Sequence, residues 1–180
     1  MVSATSQASD WNYKFDPSHS NIVWQAGHFD FSMQSGKFGF IEGDLFFNEK
    51  KPSKSKVQAI IKIANIETGD NKFNKHLLSK DFFNINKFDI ATFESQKVKI
   101  TGKNTGKIIG KLTLLGVTKK VSLNVKFNKI GINPINNKKT AGFSATTTIK
   151  RSDFGMNTYL PGISDKVKIS IEVEAGAVDN

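Results

Sequence analysis

The chain has 180 residues, no cysteine and a formal charge of +10, with 38% hydrophobic residues. That length fits one domain able to bury a core of its own, and the missing thiols exclude disulfides, thiolate metal sites and cysteine nucleophiles. Arg151 is the only arginine among 26 basic side chains, so the charge is a lysine surface rather than a set of guanidinium forks for bases and phosphates.

The first residues, MVSATSQASD, are small and polar and lack the apolar segment of an intact signal peptide. They read equally as a polar tail or as what remains beside a removed export signal, so residues 1–12 are expected to be a flexible extension. The stretch from Ile22 to Phe31 is the first predicted strand, and Lys37 to Phe47 the second, interrupted by Gly43. Val57, Ala59, Ile61 and Ile63 then alternate with polar neighbours, the period of a half-buried strand. From Asp70 to Phe83 the pattern turns helical, with Asp70 as N-cap and Phe73 and Leu77 one turn apart. One or two turns are expected there, with Phe82 and Phe83 packed on the sheet.

Strands return at Ala91–Ile100, where the inward face shifts between Phe93 and Val98 and predicts a bulge. Lys107–Leu114 follows the turn Gly102–Gly106, and Leu115–Gly116 turns the chain again. Val121–Phe127, Ala141–Ile149 and Val167–Val173 alternate cleanly. Polar loops at Asn133–Asn137 and Pro161–Gly162 separate them, and a short turn is expected at Ser152–Phe154. Eight one-faced antiparallel strands must form a sandwich or close into a barrel; alternation alone leaves both open.

Chemistry-bearing motifs are missing. The three histidines, His19, His28 and His76, match no metal-ligand spacing. There is no GxSxG elbow, no glycine-rich phosphate loop and no pair of carboxylates placed for acid–base work. No catalytic or metal-ligating residue is assigned. Aromatic residues fall on inward phases instead of interleaving with lysines, which argues against nucleic acid. Arg151 reads either as a salt-bridge tie to Asp153 or Asp165 or as a contact for a polar ligand head. The lysine surface is a solvated face or weakly attracted to anionic membranes.

Order and spacing of several fragments nonetheless form a pattern. Tyr13, Asp16, His19 and Ser20 open it, and His28 follows. Then come Phe31 to Gly36 with Phe38 and Gly43; Ile66, Thr68 and Gly69; His76-Leu77; and Asp81-Phe82-Phe83 with Phe88 and Phe93. The run Gly110-Lys111-Leu112-Thr113-Leu114, Gly116-Val117-Thr118-Lys119 and the segment Arg151 to Met156 close it. Over residues 13 to 175 the chain resembles the YceI-like family of bacterial polyisoprenoid-binding proteins. Asp89 stands where the family often has proline, a change expected at a strand entrance.

The resemblance implies an all-β fold: an eight-stranded antiparallel lipocalin-like barrel spanning 13–176, with one short helical segment. It also implies a long apolar interior that holds an isoprenoid lipid such as a quinone or polyprenyl phosphate, without other cofactor, in the periplasm or outside the cell. Several members look like dimers. By strand phase and resemblance together, Trp24, Phe38, Phe40, Phe93, Leu112, Leu114 and Phe143 are the expected tail site, and His19, His28 and Arg151 the expected head-group contacts. A lipid-modifying enzyme and a ligand-free, stress-related secreted protein are the competing readings.

Overall fold

A computed structural model describes residues 12–178. The expected tail lies outside them except for Asn12, whose side chain exchanges hydrogen bonds with the main chain of Phe47 (Nδ2 to O 3.1 Å; N to Oδ1 2.8 Å).

Eleven strands form one antiparallel sheet: β1 (Tyr13–Phe15), β2 (Asn21–His28), β3 (Ser32–Phe38), β4 (Glu42–Phe46), β5 (Lys56–Lys62), β6 (Ile66–Glu67), β7 (Ile90–Ile100), β8 (Thr105–Leu114), β9 (Val117–Ile132), β10 (Lys139–Lys150) and β11 (Lys166–Ala177). Eight of them close a barrel in the order β1-β4-β5-β7-β8-β9-β10-β11, with β11 returning to β1. The closing edge is shared. Ala175–Ala177 of β11 pair with β1, and Lys168–Glu172 pair with β2. β2 therefore continues the line of β1 after a short turn at Pro17–His19, and β3 continues the line of β4. β6 pairs with β3 as β5 pairs with β4, and so continues the line of β5.

The expected second strand is thus two strands. Its break falls at Gly39–Ile41, where Phe40 takes a left-handed backbone (φ 53°). Alternation from Phe38 points Phe40 inward; the reversed φ turns it out to 63% exposure, and Ile41, 2% exposed, takes the inward place. The bulge expected between Phe93 and Val98 is present, as a register shift between Ser95 and Lys97. β9 runs further at both ends than its alternating core.

The helix α1 (Asn71–Leu78) starts where its cap predicts: Asp70 Oδ1 accepts from Lys72 N at 2.7 Å and Phe73 N at 3.4 Å. It stops at Ser79, and the remainder of the expected segment forms turns that bury Phe82 and set Phe83 edge-on against Phe38. Loops 47–55, 101–104 and 133–138 ring one end of the barrel, here the upper end. The helix, the β2–β3 hairpin and segment 151–165 cover the lower end. No helix among the described residues is long and apolar enough to cross a membrane.

The fully buried core is lopsided. Tyr13, Phe15, Phe38, Ile41, Leu45 and Ile61 pack beside the broken strands, and Leu77, Phe82 and Met156 under the helix. Most inward residues of the long strands β8–β11 are only half-buried, because they face space; Ala141 and Ala175 are buried exceptions. Gly110 shows how one ring is fitted into that wall. A Cβ there would lie 2.4 Å from Phe93 Cζ and 2.5 Å from the Glu94 carbonyl oxygen. Gly110→Val is therefore expected to lower stability by about 1–3 kcal/mol through overpacking. Gly176→Ala, which meets nothing within 4 Å, should stay within about 0.5 kcal/mol of the parent; urea denaturation of both variants measures the contrast.

Candidate ligand tunnel

The interior holds two cavities stacked along the barrel axis. The upper one, about 450 Å³, is walled by Val57, Phe93, Leu123, Val125, Phe127 and Phe143. The lower one, about 460 Å³, is walled by Trp24, Phe38, Phe73, Leu114, Val167 and Tyr159. Both share Ile22, Ile61, Leu112, Ile149 and Ile169, which form a waist between two chambers. Strand alternation makes this wall: the inward positions on β8–β11 are mostly aliphatic or aromatic, with Gly110, Ala145 and Thr147 as smaller ones. Polar groups gather at the two mouths, with Lys103, Asn104 and Glu49 above and His28, His76 and Tyr159 below.

The tail residues expected from sequence separate by height. Trp24, Phe38 and Leu114 line the lower chamber, Leu112 the waist, and Phe93 and Phe143 the upper chamber. Phe143 meets Phe47 and Phe127 at centroid distances of 5.3 and 5.5 Å. Phe40 joins neither chamber, for the backbone reason given above. Trp24 lies across Gly36, where a Cβ would be 2.5 Å from indole Cζ2, and its ring stands edge-on to Phe73. Its Nε1 is buried without a hydrogen-bond partner among the described residues, which is rare for a buried donor.

Of the expected head-group residues, His28 sits at the lower mouth, edge-on to Phe29 at 4.9 Å. His19 does not reach the interior. The chain leaves the sheet between β1 and β2, and the turn begun by Pro17 puts His19 on the outer surface with its side chain 61% exposed. There His19 Nδ1 lies 2.7 Å from Asp16 Oδ2. This hydrogen bond is the main cause that raises the His19 pKa above its ordinary 6.5 and lowers that of Asp16. Glu174 stands close enough to share an ion with the pair.

Arg151 is buried and borders the lower chamber. Neither expected carboxylate receives it. Nε donates to Ser164 O at 3.0 Å, one terminal nitrogen to Met156 O and the other to Ile163 O, both at 2.9 Å. Asp165 instead accepts from Ser152 N and Ser152 Oγ, both at 2.9 Å, and the Ser152 N–H holds its pKa below the ordinary carboxylate range. The guanidinium thus staples segment 151–165 to itself as the floor of the tunnel.

Sequence reasoning missed His76 and Tyr159. His76 lies near the end of a short helix and Tyr159 in an aperiodic loop, and they meet Phe82 at 5.0 and 6.3 Å. It also passed over Phe47 and Phe127, although the inward phase of Val121–Phe127 pointed to the latter.

A family model for the YceI-like domain matches residues 13–175. A UPF0312 protein of Pectobacterium carotovorum is 38% identical over 176 residues, covering 97% of this chain and 91% of its own. One of Ectopseudomonas mendocina is 34% identical over 174 residues, covering 97% and 91%. Among solved structures, a Campylobacter jejuni YceI protein is similar at 31% identity and a TM-score of 0.73, covering 80% of this chain and 85% of that one. BcnA of Burkholderia cenocepacia shares the fold at 24% identity and a TM-score of 0.80, covering 89% and 98%. A polyisoprenoid binding domain from Saccharophagus degradans, implicated in plant cell wall breakdown, shares it at 15% identity and 0.70, covering 93% and 99%.

Two outcomes follow from the polar contacts. Arg151→Lys cannot satisfy three diverging carbonyls and is expected to cost about 2–3 kcal/mol in urea denaturation. In an NMR titration, His19 should have its midpoint above 6.5 and return toward it in Asp16→Asn. The pair favours the fold between the carboxylate range and that value, and the gain fades as pH rises through the raised His19 pKa or falls through the lowered Asp16 pKa.

Proposed function

This chain belongs to the YceI-like domain family, and we propose that it binds an amphiphilic isoprenoid lipid of the quinone or polyprenyl phosphate type, to carry or store it. The observation that supports this most is the waisted interior, lined almost throughout by apolar side chains with most polar groups at its ends. Burial of each CH₂ equivalent contributes roughly 0.8 kcal/mol, so a tail of several isoprene units offsets the cost of ordering it. The polyisoprenoid binding domain from Saccharophagus degradans, similar in fold, supports the same class of ligand. Family membership is consistent with a carrier that performs no chemistry of its own.

Within that class the polar groups favour a neutral head that accepts hydrogen bonds. Trp24 borders the lower chamber, but its Nε1 is sealed within the protein rather than open to the chamber. Arg151, the residue best suited to a phosphate, already donates to three main-chain carbonyls. A neutral quinone head, with His28 and His76 at the mouth, fits a guanidinium already occupied. Trp24, Phe38, Phe93, Leu112, Leu114 and Phe143 are the tail contacts of this proposal, and His28 is its head-group contact. The proposal takes 13–176 as the binding domain, 1–12 as an extension, and the periplasm or cell exterior as the place of action, with a homodimer as the family's example for assembly.

Native mass spectrometry of the freshly purified protein, with mass analysis of its organic extract, tests the reading. The expected result is a stoichiometric adduct with masses spaced by isoprene units and a quinone head. Leu112→Trp, which fills the waist, should shorten the tail retained. An apo mass, with no uptake of offered quinones or polyprenyl phosphates, would sink the proposal.

A further inference from the structure

We infer that the upper end of the barrel docks on an anionic lipid bilayer. Its three loops carry Lys50, Lys51, Lys54, Lys103 and Lys138 against one carboxylate, Glu49, which is itself paired with Lys139. Among these lysines stand apolar side chains that the fold does not use: Ile135 is 90% exposed and Ile132 63%.

The loop that presents Ile135 is held by its own polar groups. Asn133 Oδ1 accepts from Ile135 N at 2.9 Å, Asn136 Oδ1 accepts from Lys138 N at 3.0 Å, and Asn137 N donates to Asn133 O at 2.9 Å. Pro134 and Ile135 are left pointing outward, both exposed. Isolated apolar tips in a ring of lysines suit the boundary between anionic head groups and acyl chains, where each cation near the surface and each buried side chain adds to binding. A nucleic acid would meet the same lysines but gain little from the isoleucines.

The lower end also has an apolar lip, with Phe31 90% and Met33 56% exposed. Segments 28–32, 63–89 and 151–165 around it hold more carboxylates than basic side chains, so an anionic surface selects the upper end by charge. Lys103 and Asn104 line the upper mouth itself, which places the docking face at an opening of the tunnel. The surface argument stands apart from the ligand; only the use of the mouth for lipid passage rests on the carrier reading.

The test is flotation of the full chain with vesicles of phosphatidylcholine alone and of equal parts phosphatidylcholine and phosphatidylglycerol. Binding is expected only to the second kind, falling as salt is raised. Ile135→Asp should weaken it about tenfold, and Lys51→Glu with Lys103→Glu should abolish it, whereas Phe31→Ser should leave it unchanged. Urea denaturation of each variant confirms that the fold is kept. Native mass spectrometry of Ile135→Asp should find the lipid adduct retained, so a failure of docking is told apart from a failure of the carrier reading. The inference is overturned by equal binding to neutral vesicles, by loss with Phe31→Ser in place of Ile135→Asp, or by no vesicle binding, which leaves the patch to a protein partner.

Discussion

β11 hydrogen-bonds to three other strands, and the hollow of the molecule depends on how it divides them. One edge is taken along its length by β10. The other is split between β2 and β1, with the turn at Pro17–His19 in the gap. A single straight strand in that place would have to follow β11 through its whole twist. Two short ones let the wall change direction where it must close, so no edge of β11 is left open for pairing with another chain. Asp16 N donating to Glu174 O at 2.8 Å and the buried Ser20 hydroxyl donating to the same oxygen at 3.3 Å carry the chain across the gap.

Closure by broken strands sets where side chains fill space and where they do not. On the broken side, two short segments bring more rings and branched chains per unit height, and these fill the core. On the side of β8–β11, long regular strands present one inward residue in two, which fall short of the centre. The chambers lie against that wall. The waist marks the level at which three of these inward aliphatics, Leu112, Ile149 and Ile169, meet Ile22 and Ile61 from the other side. Shape inside therefore follows from strand length outside, with no residue dedicated to making a cavity.

Legibility from sequence followed the same division. Long strands with period-two alternation were plain, and so were the helix cap at Asp70 and the bulge after Phe93. The two- and three-residue strands β6 and β1 have no period to read. The break at Phe40 leaves only one trace, the adjacent apolar pair Phe40-Ile41, at which the inward phase shifts from Phe38 to Ile41, Gly43 and Leu45. For the tunnel, residues on regular strands could be placed by phase, and Trp24, Leu112 and Phe143 fell in its wall. His19 could not, since its turn lies between two strands that look continuous in sequence. His76 and Tyr159 depend on how the lower cover folds over, which is a tertiary fact. Arg151 was legible as unusual but not in its partners, because main-chain carbonyls leave no trace in residue types.

The choice of carbonyls for Arg151 has a consequence for behaviour in acid. An arginine tied to aspartate is released once the aspartate takes up a proton. Main-chain oxygens do not titrate, and a guanidinium stays charged throughout the range in which carboxylates are neutralised. As surroundings acidify, surface pairs such as Lys62–Glu42 lose their attraction, while the three bonds under the lower chamber keep theirs. The floor of the barrel is thereby built to outlast the ion pairs on its outer surface.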